Sequence, residues 1–187
     1  MIEVLPFPPK KPCRQTQHMK TPQGYNQRLL YLDFDGVLHH ENCLWHPNIG
    51  PYLSAPSEFK LFMHVDLLEK LLAPYPQILI VLSTSWSVRY GVAKAAKNLS
   101  PSLRSRVIGG THHSRMNKPE FLEKPRGVQV LEDTMRRKPC AWAAIDDDDE
   151  RWPSHCRSNL VLTHQHAGIS DPAVLAELKT KLAEMCK

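Results

Sequence analysis

Leu29-Leu-Tyr-Leu-Asp33-Phe-Asp35-Gly36-Val37-Leu38 delivers two carboxylates and a glycine at the point where an apolar run ends. The run reads as a buried strand from Arg28 to Phe34. Side chains along a strand point alternately to opposite faces, so a strand continuing through Asp35 puts Asp33 and Asp35 on one side and turns Phe34 into packing. Converging carboxylates repel, which raises one pKa unless a cation neutralises them. The pair therefore suits either a hard divalent metal or an acid and nucleophile pair. Gly36 permits the sharp exit that such a loop needs.

Outward from this stretch, strands and helices alternate. Phe62 to Leu72 has helical spacing and ends before Pro74 and Pro76. Ile78-Leu-Ile-Val-Leu82 is uniformly apolar, as a parallel strand covered on both faces would be. A crossover helix is expected over Val88 to Leu99 and a short strand or turn over Arg106 to Gly109. A helix follows over Arg126 to Arg137, with Pro125 as its first residue and Val128, Leu131 and Met135 on its inner side. Ala141 to Ile145 and Asn159 to Thr163 complete the strands, and Asp171 and Pro172 open a last helix running to Met185. His39 to Phe59 has no clear period and is expected to be a loop or small flap. Residues 1–26, rich in proline, are expected to be an extended tail, leaving one domain over 27–187. This alternation predicts an open α/β sheet whose ligands bind beyond the carboxyl ends of the strands, where Asp33 and Asp35, Ser83 and Thr84, and Asp146 and Asp147 all fall.

The chain has 187 residues, enough for one core of ordinary size without disulfides. Its five cysteines are scattered with no Cys-x-x-Cys pair, which argues against a disulfide framework or a zinc ribbon and fits a reducing cytoplasm. No apolar run is long enough for a membrane span, and no signal-peptide core is visible, so a soluble cytoplasmic protein without a membrane partner is expected. A net charge of +5, spread along the chain, favours anionic partners without choosing between phosphorylated metabolites and nucleic acid.

Asp33-Phe-Asp35-Gly36, then Ser83-Thr84 after a strand, then a Lys or Arg opening a helix, then Asp146-Asp147 after a strand resembles the four ordered motifs of the haloacid dehalogenase-like (HAD) superfamily. More narrowly, Tyr31 to His39, Leu82 to Ser87 and Ala141 to Asp147 resemble the HAD domains of Swiss Army Knife RNA-repair proteins. The resemblance implies a three-layer α/β/α Rossmann-like fold with a parallel central sheet and a small or absent cap. It also implies Mg²⁺ and phosphoryl transfer through an aspartyl-phosphate. By resemblance Asp33 is nucleophile and metal ligand. Asp35 is the acid and base and offers its backbone carbonyl to the metal, while Asp146 and Asp147 are further ligands, with Glu150 as another candidate. Ser83, or Thr84 in the alternative register, would donate to the phosphoryl oxygens. Lys124, Arg126 and Lys118 compete for the charge-neutralising position.

The function implied is a Mg²⁺-dependent phosphatase acting on a phosphomonoester, either a small molecule or a nucleic-acid end. A phosphotransferase would use the same residues, and the competing class is a non-catalytic HAD-fold module that binds nucleic acid or protein. The histidines, including His39-His40, His46, His112-His113, His155, His164 and His166, show no recognised zinc spacing and read as surface or loop residues. His39 and His40 stand next to the proposed nucleophile, within reach of substrate. Trp45 and Trp86 read as core or flap packing more readily than as stacking platforms for a base.

Overall fold

The computed structural model describes residues 21–187. The expected extended tail therefore lies outside the described residues as far as residue 20. Residues 23–26 form a turn, in which the Asn26 N–H donates to the Lys138 carbonyl at 3.0 Å. Seven strands and seven α-helices follow: β1 (Arg28–Leu32), β2 (Cys43–His46), β3 (Gly50–Leu53), α1 (Val65–Leu72), β4 (Ile78–Leu82), α2 (Ser85–Tyr90), α3 (Val92–Ala95), α4 (Pro101–Ser105), β5 (Val107–Gly110), α5 (Lys118–Glu123), α6 (Arg126–Arg137), β6 (Ala141–Asp146), β7 (Leu160–Leu162) and α7 (Pro172–Glu184).

Five strands form one parallel sheet in the order β5-β4-β1-β6-β7. Strand alternation divides the core into two layers. Leu30, Leu32, Ile80, Leu82 and Ile145 face the helices α1, α3, α4 and α7 through residues such as Leu68, Leu103 and Leu178. Leu29, Tyr31, Val81 and Ala144 face the opposite way, onto Val130 of α6 and onto Trp152 and Cys156. This is the expected three-layer α/β/α Rossmann-like architecture. The insertion after β1 holds only the antiparallel β2–β3 hairpin, a small flap in place of a cap domain. No helix among the described residues is long and apolar enough to cross a membrane.

The register of the central strands sets the site. Leu32 pairs with Leu82 on one side and Ile145 on the other, so one residue further on Asp33 stands between Ser83 and Asp146. The Asp33 N–H continues the ladder to the Ile145 carbonyl at 3.1 Å, and the Ser83 N–H donates to the Leu32 carbonyl at 2.9 Å. From β1 the chain moves first to β4 and β5 and then returns to β6 and β7. The sheet's switch in direction therefore lies between β1 and β6, where the Asp33 and Asp146 ends diverge and leave a crevice.

Local geometry departs from the periodicity in three places. The helix expected over Val88 to Leu99 is split into α2, α3 and a short 3₁₀ turn at Ala96–Asn98, because Gly91 adopts φ +83°. The helix expected from Phe62 begins at Val65, since Phe62 itself is left-handed at φ +58° and presents its ring to Phe34 and His39. In α6 the buried face is only partly the expected one: Leu131 packs against the core and Val128 is half-buried, but Met135 is 63% exposed, while Gln129, Val130, Asp133, Thr134 and Arg137 are buried, and Pro125 is the N-cap.

That inner face of α6 is polar but satisfied. Gln129 Nε2 donates to the carbonyls of Phe121 and Lys124. Asp133 accepts from Tyr31 Oη at 3.1 Å, from Arg137 Nε at 2.6 Å and from Arg136. Arg137 also donates to the Gln23 carbonyl at 2.6 Å, tying the turn before β1 to the end of α6. Burial, with Asp133 beside it, pushes the Tyr31 phenol up, so it remains a donor. Removing Asp133 strands the buried Arg137 charge, and such a loss costs about 3–5 kcal/mol. Asp133→Ala is accordingly expected to lower unfolding free energy by that amount in urea titration, whereas Tyr31→Phe, which removes one hydrogen bond, costs about 1 kcal/mol.

Candidate active site

Asp33 and Asp146 are 4% and 1% exposed, and one guanidinium serves both. Arg126, the first residue of α6, places Nη2 at 3.4 Å from Asp33 Oδ2 and Nε at 3.3 Å from Asp146 Oδ2. The Phe34 N–H donates to Asp33 Oδ1 at 2.7 Å. Asp147 folds over Gly36 so closely that a Cβ on Gly36 would stand 2.0 Å from Asp147 Oδ2, and Gly36 itself has φ +65°. Only glycine satisfies both the backbone and the approach. Thr163 secures this turn by donating to the Gly36 carbonyl at 2.8 Å.

Asp33, Asp146 and Asp147 each offer an oxygen, and these atoms lie within 4.8 Å of one another. Three carboxylates around one guanidinium leave two negative charges if all are ionised. Asp146 Oδ2 is buried without a well-aligned hydrogen bond among the described residues. Burial pushes Asp146 well up, with Asp33 adding to the shift and Arg126 opposing it. Asp33 is raised by burial and by Asp35 against the pull of Arg126, and Asp147 is pushed up to about 7 by burial and by Asp33. Burial alone would depress Arg126, but Asp33 and Asp146 hold it firmly protonated. An all-oxygen set with surplus negative charge suits a hard divalent cation such as Mg²⁺ better than a thiophilic metal. The residues present fit such an ion.

Asp35 turns to different partners. Trp86 Nε1 donates to its two oxygens at 3.0 and 3.2 Å, His39 Nε2 lies 3.0 Å from Oδ1, and Ser85 Oγ donates at 3.5 Å to Oδ2. His39 is completely buried, with its ring edge-on to Phe62 and Trp86, so it supports Asp35 and does not reach substrate. Asp35, His39 and Cys43 also cluster closely enough to hold a metal, but the Cys43 thiol is pushed up to about 12 by burial and by Asp35. This mixed set of thiol, imidazole and carboxylate is unlike the all-oxygen group a hard cation needs, and the Asp35 carboxylate is already taken up by its donors.

The other sequence candidates divide clearly. Ser83 Oγ is buried with no partner among the described residues, at the strand end beside Asp33. The Thr84 hydroxyl accepts from the Trp86 N–H at 3.3 Å as the cap of α2, and its influence on Asp33 is to lower that carboxyl against the stronger effect of burial. Lys124 is not brought to the carboxylates: its Nζ pairs with Glu132 at 2.9 and 3.0 Å. Glu150 is exposed and pairs with Arg151. Lys118 opens α5 and borders a cavity on the Asp35 side of the crevice. His39 and His40 are buried, contrary to the surface reading of the histidines, because the His39 ring packs on Phe62 and Trp86 and the His40 ring on Phe59 and His166. His40 stacks on His166 with centroids 4.4 Å apart. Trp86, His39 and Ser85 were not identifiable as supports of Asp35 from spacing, since Trp86 and Ser85 come from a different strand end.

No curated protein and no solved structure matches this chain. The model of one family, described as the HAD domain in Swiss Army Knife RNA repair proteins, matches residues 29–174. That span contains Asp33, Asp35, Ser83, Arg126, Asp146 and Asp147, and it covers the whole parallel sheet except Arg28. The chain belongs to the HAD domain family of Swiss Army Knife RNA repair proteins.

Proposed function

We propose that this protein is a Mg²⁺-dependent phosphomonoesterase that works through an aspartyl-phosphate on Asp33, with phosphorylated nucleotides or nucleic-acid ends among its substrates. The observation that carries this reading is the pairing of buried Asp33 and Asp146 with Arg126, half-buried Asp147 beside them, and a separately held carboxylate at Asp35. A non-catalytic module has no need to concentrate uncompensated acids at a buried strand end.

A phosphoryl group resists attack by an anion until its own charge is neutralised. Asp33, Asp146, Asp147 and the Asp35 carbonyl would hold Mg²⁺, which would supply that neutralisation. Arg126 adds a fixed positive charge beside Asp33, and the unpartnered Ser83 hydroxyl donates to a phosphoryl oxygen. Asp33 attacks phosphorus with a carboxylate oxygen, the bond from phosphorus to the leaving oxygen breaks, and Asp35 gives that oxygen a proton. Asp35 then takes a proton from water as the water oxygen attacks the same phosphorus. The bond to Asp33 breaks, inorganic phosphate leaves, and both carboxylates return to their starting state. Trp86 and His39 hold Asp35 in place for both proton transfers.

Phosphate release from an aryl phosphate with Mg²⁺ tests the chemistry. Asp33→Asn is expected to lower kcat by about 10³-fold or more, and Asp35→Asn by about 10²–10⁴-fold. Arg126→Ala is expected to fall far below Lys124→Ala, which removes only a solvent-facing pair with Glu132. Full activity in Asp33→Asn, or activity without any divalent metal, would overturn the mechanism.

Metal binding has its own signature. The Asp147 carboxyl, normally at 3.8, stands at about 7 in the folded metal-free chain. Between these values the folded state holds a proton that the unfolded state has released, so stability of the metal-free protein falls as pH rises across this window. Mg²⁺ needs the deprotonated form. Its stabilising shift in Tm is therefore expected to be clearly larger at pH 8 than at pH 5.5 by differential scanning fluorimetry, and an equal shift at both would count against this ligand set.

A further inference from the structure

The cavity beside Asp35 has no role in the chemistry described so far. It encloses about 250 Å³ between the β2–β3 flap, α2 and α5, and its wall includes Asp35, Trp45, Trp86, Arg89, Tyr90 and Lys118. Asp33, Asp146 and Arg126 do not line it. In an in-line displacement the nucleophile and the leaving oxygen lie on opposite sides of phosphorus, and the acid stands with the leaving oxygen. The moiety attached to that oxygen is therefore the one that meets a cavity walled by Asp35.

The two tryptophans have different parts in this wall. Trp86 is buried and donates to Asp35. Trp45 is 46% exposed on the flap, and neighbouring Leu44 and Leu122 at the same cavity are about as exposed. Large apolar side chains gathered around a concave site mark a surface that a ligand covers. The Arg89 guanidinium lies 5.2 Å from the centre of the Trp45 ring and 6.0 Å from that of Tyr90, which holds the aromatic wall in place. Neither Arg89 nor Lys118 has a carboxylate partner among the described residues, and the wall's only acid, Asp35, is committed to Trp86 and His39.

We infer that this cavity is the subsite for the base of a terminal nucleotide in a nucleic-acid strand, with the base stacked on the Trp45 wall and the adjoining phosphodiester met by Lys118 and Arg89. The inference rests on the phosphatase reading of Asp33 and Asp35. The volume is below the roughly 300–1,000 Å³ of pockets that take a whole drug-sized ligand, so it suits one base with part of its sugar. Stacking on an aromatic side chain tolerates every base, because each has a π-face. The two cations separate a strand end from a free mononucleotide: once the scissile phosphate is assigned to the Asp33 side, the nucleoside of a mononucleotide has no charge left for them, whereas a strand end has its next phosphodiester.

Steady-state kinetics on the full chain with Mg²⁺ test this, using ribose 5-phosphate, adenosine monophosphates and diadenylates bearing a terminal 5′ or 3′ phosphate. The expected order of kcat/KM is diadenylate, then mononucleotide, then ribose 5-phosphate. Trp45→Ala is expected to reduce the preference for the mononucleotide over ribose 5-phosphate by about tenfold, with Trp45→Phe restoring most of it. Lys118→Ala is expected to reduce the preference for the diadenylate over the mononucleotide. A preference unmoved by Trp45→Ala overturns the base subsite, and equal kcat/KM for mononucleotide and diadenylate overturns the strand-end assignment. Binding separates this inference from the phosphatase reading. If no phosphate ester is turned over, fluorescence of a 2-aminopurine dinucleotide with a terminal phosphate still reports the subsite: quenching that weakens in Trp45→Ala upholds it, and absence of quenching overturns it.

Discussion

Two buried carboxylates share one guanidinium at the carboxyl edge of this sheet, with a third close beside them, and most of the surrounding structure serves to keep them there. Register alone brings Asp33 beside Asp146, because β1 and β6 pair with Leu32 opposite Ile145. Asp147 then needs Gly36 beneath it, and the Gly36 turn needs Thr163 from the end of β7. Arg126 can meet both acids only because α6 starts at the crevice. Buried like charges are costly unless a cation compensates them. Burial and mutual repulsion raise Asp33, Asp146 and Asp147 together, and their two surplus charges are the feature that a divalent ion could answer.

Asp33 and Asp35 differ in surroundings more than their two-residue spacing suggests. Asp33 is buried among charges, whereas Asp35 is held by an indole and a hydroxyl that donate to it and by a neighbouring imidazole, at the border of an aromatic cavity. Two carboxylates in unlike environments are suited to unlike tasks, and here the difference follows from the strand ending at Leu32.

Much of this was legible in the residues. Strands whose both faces are covered are uniformly apolar, so Ile78 to Leu82 and Ala141 to Ile145 announced a parallel sheet, and the polar residues following them fell at one edge. Side-chain partnership was less accessible. Lys124 and Arg126 are two residues apart at a helix start, and only the path of the chain through Pro125 decides that Arg126 enters the crevice while Lys124 meets Glu132. The inner face of α6 was partly misread because its burial rests on Asp133, Gln129 and Arg137 being satisfied by hydrogen bonds, a pattern invisible to hydrophobic periodicity. The support of Asp35 by Trp86 joins segments 51 residues apart, and nothing in either segment names the other.

Helix α6 is anchored at both ends by charge. Arg126 at its start engages the carboxylates of the crevice, and seven residues on Asp133 locks it to Tyr31 and Arg137. Each residue of an α-helix advances about 1.5 Å and turns about 100°. Inserting or deleting one residue between the two anchors would swing one of them off its partners, and no sliding of the helix restores both. The length of this segment is thus fixed jointly by the acidic crevice and the core, so that sequence here can drift by substitution but not by change of length.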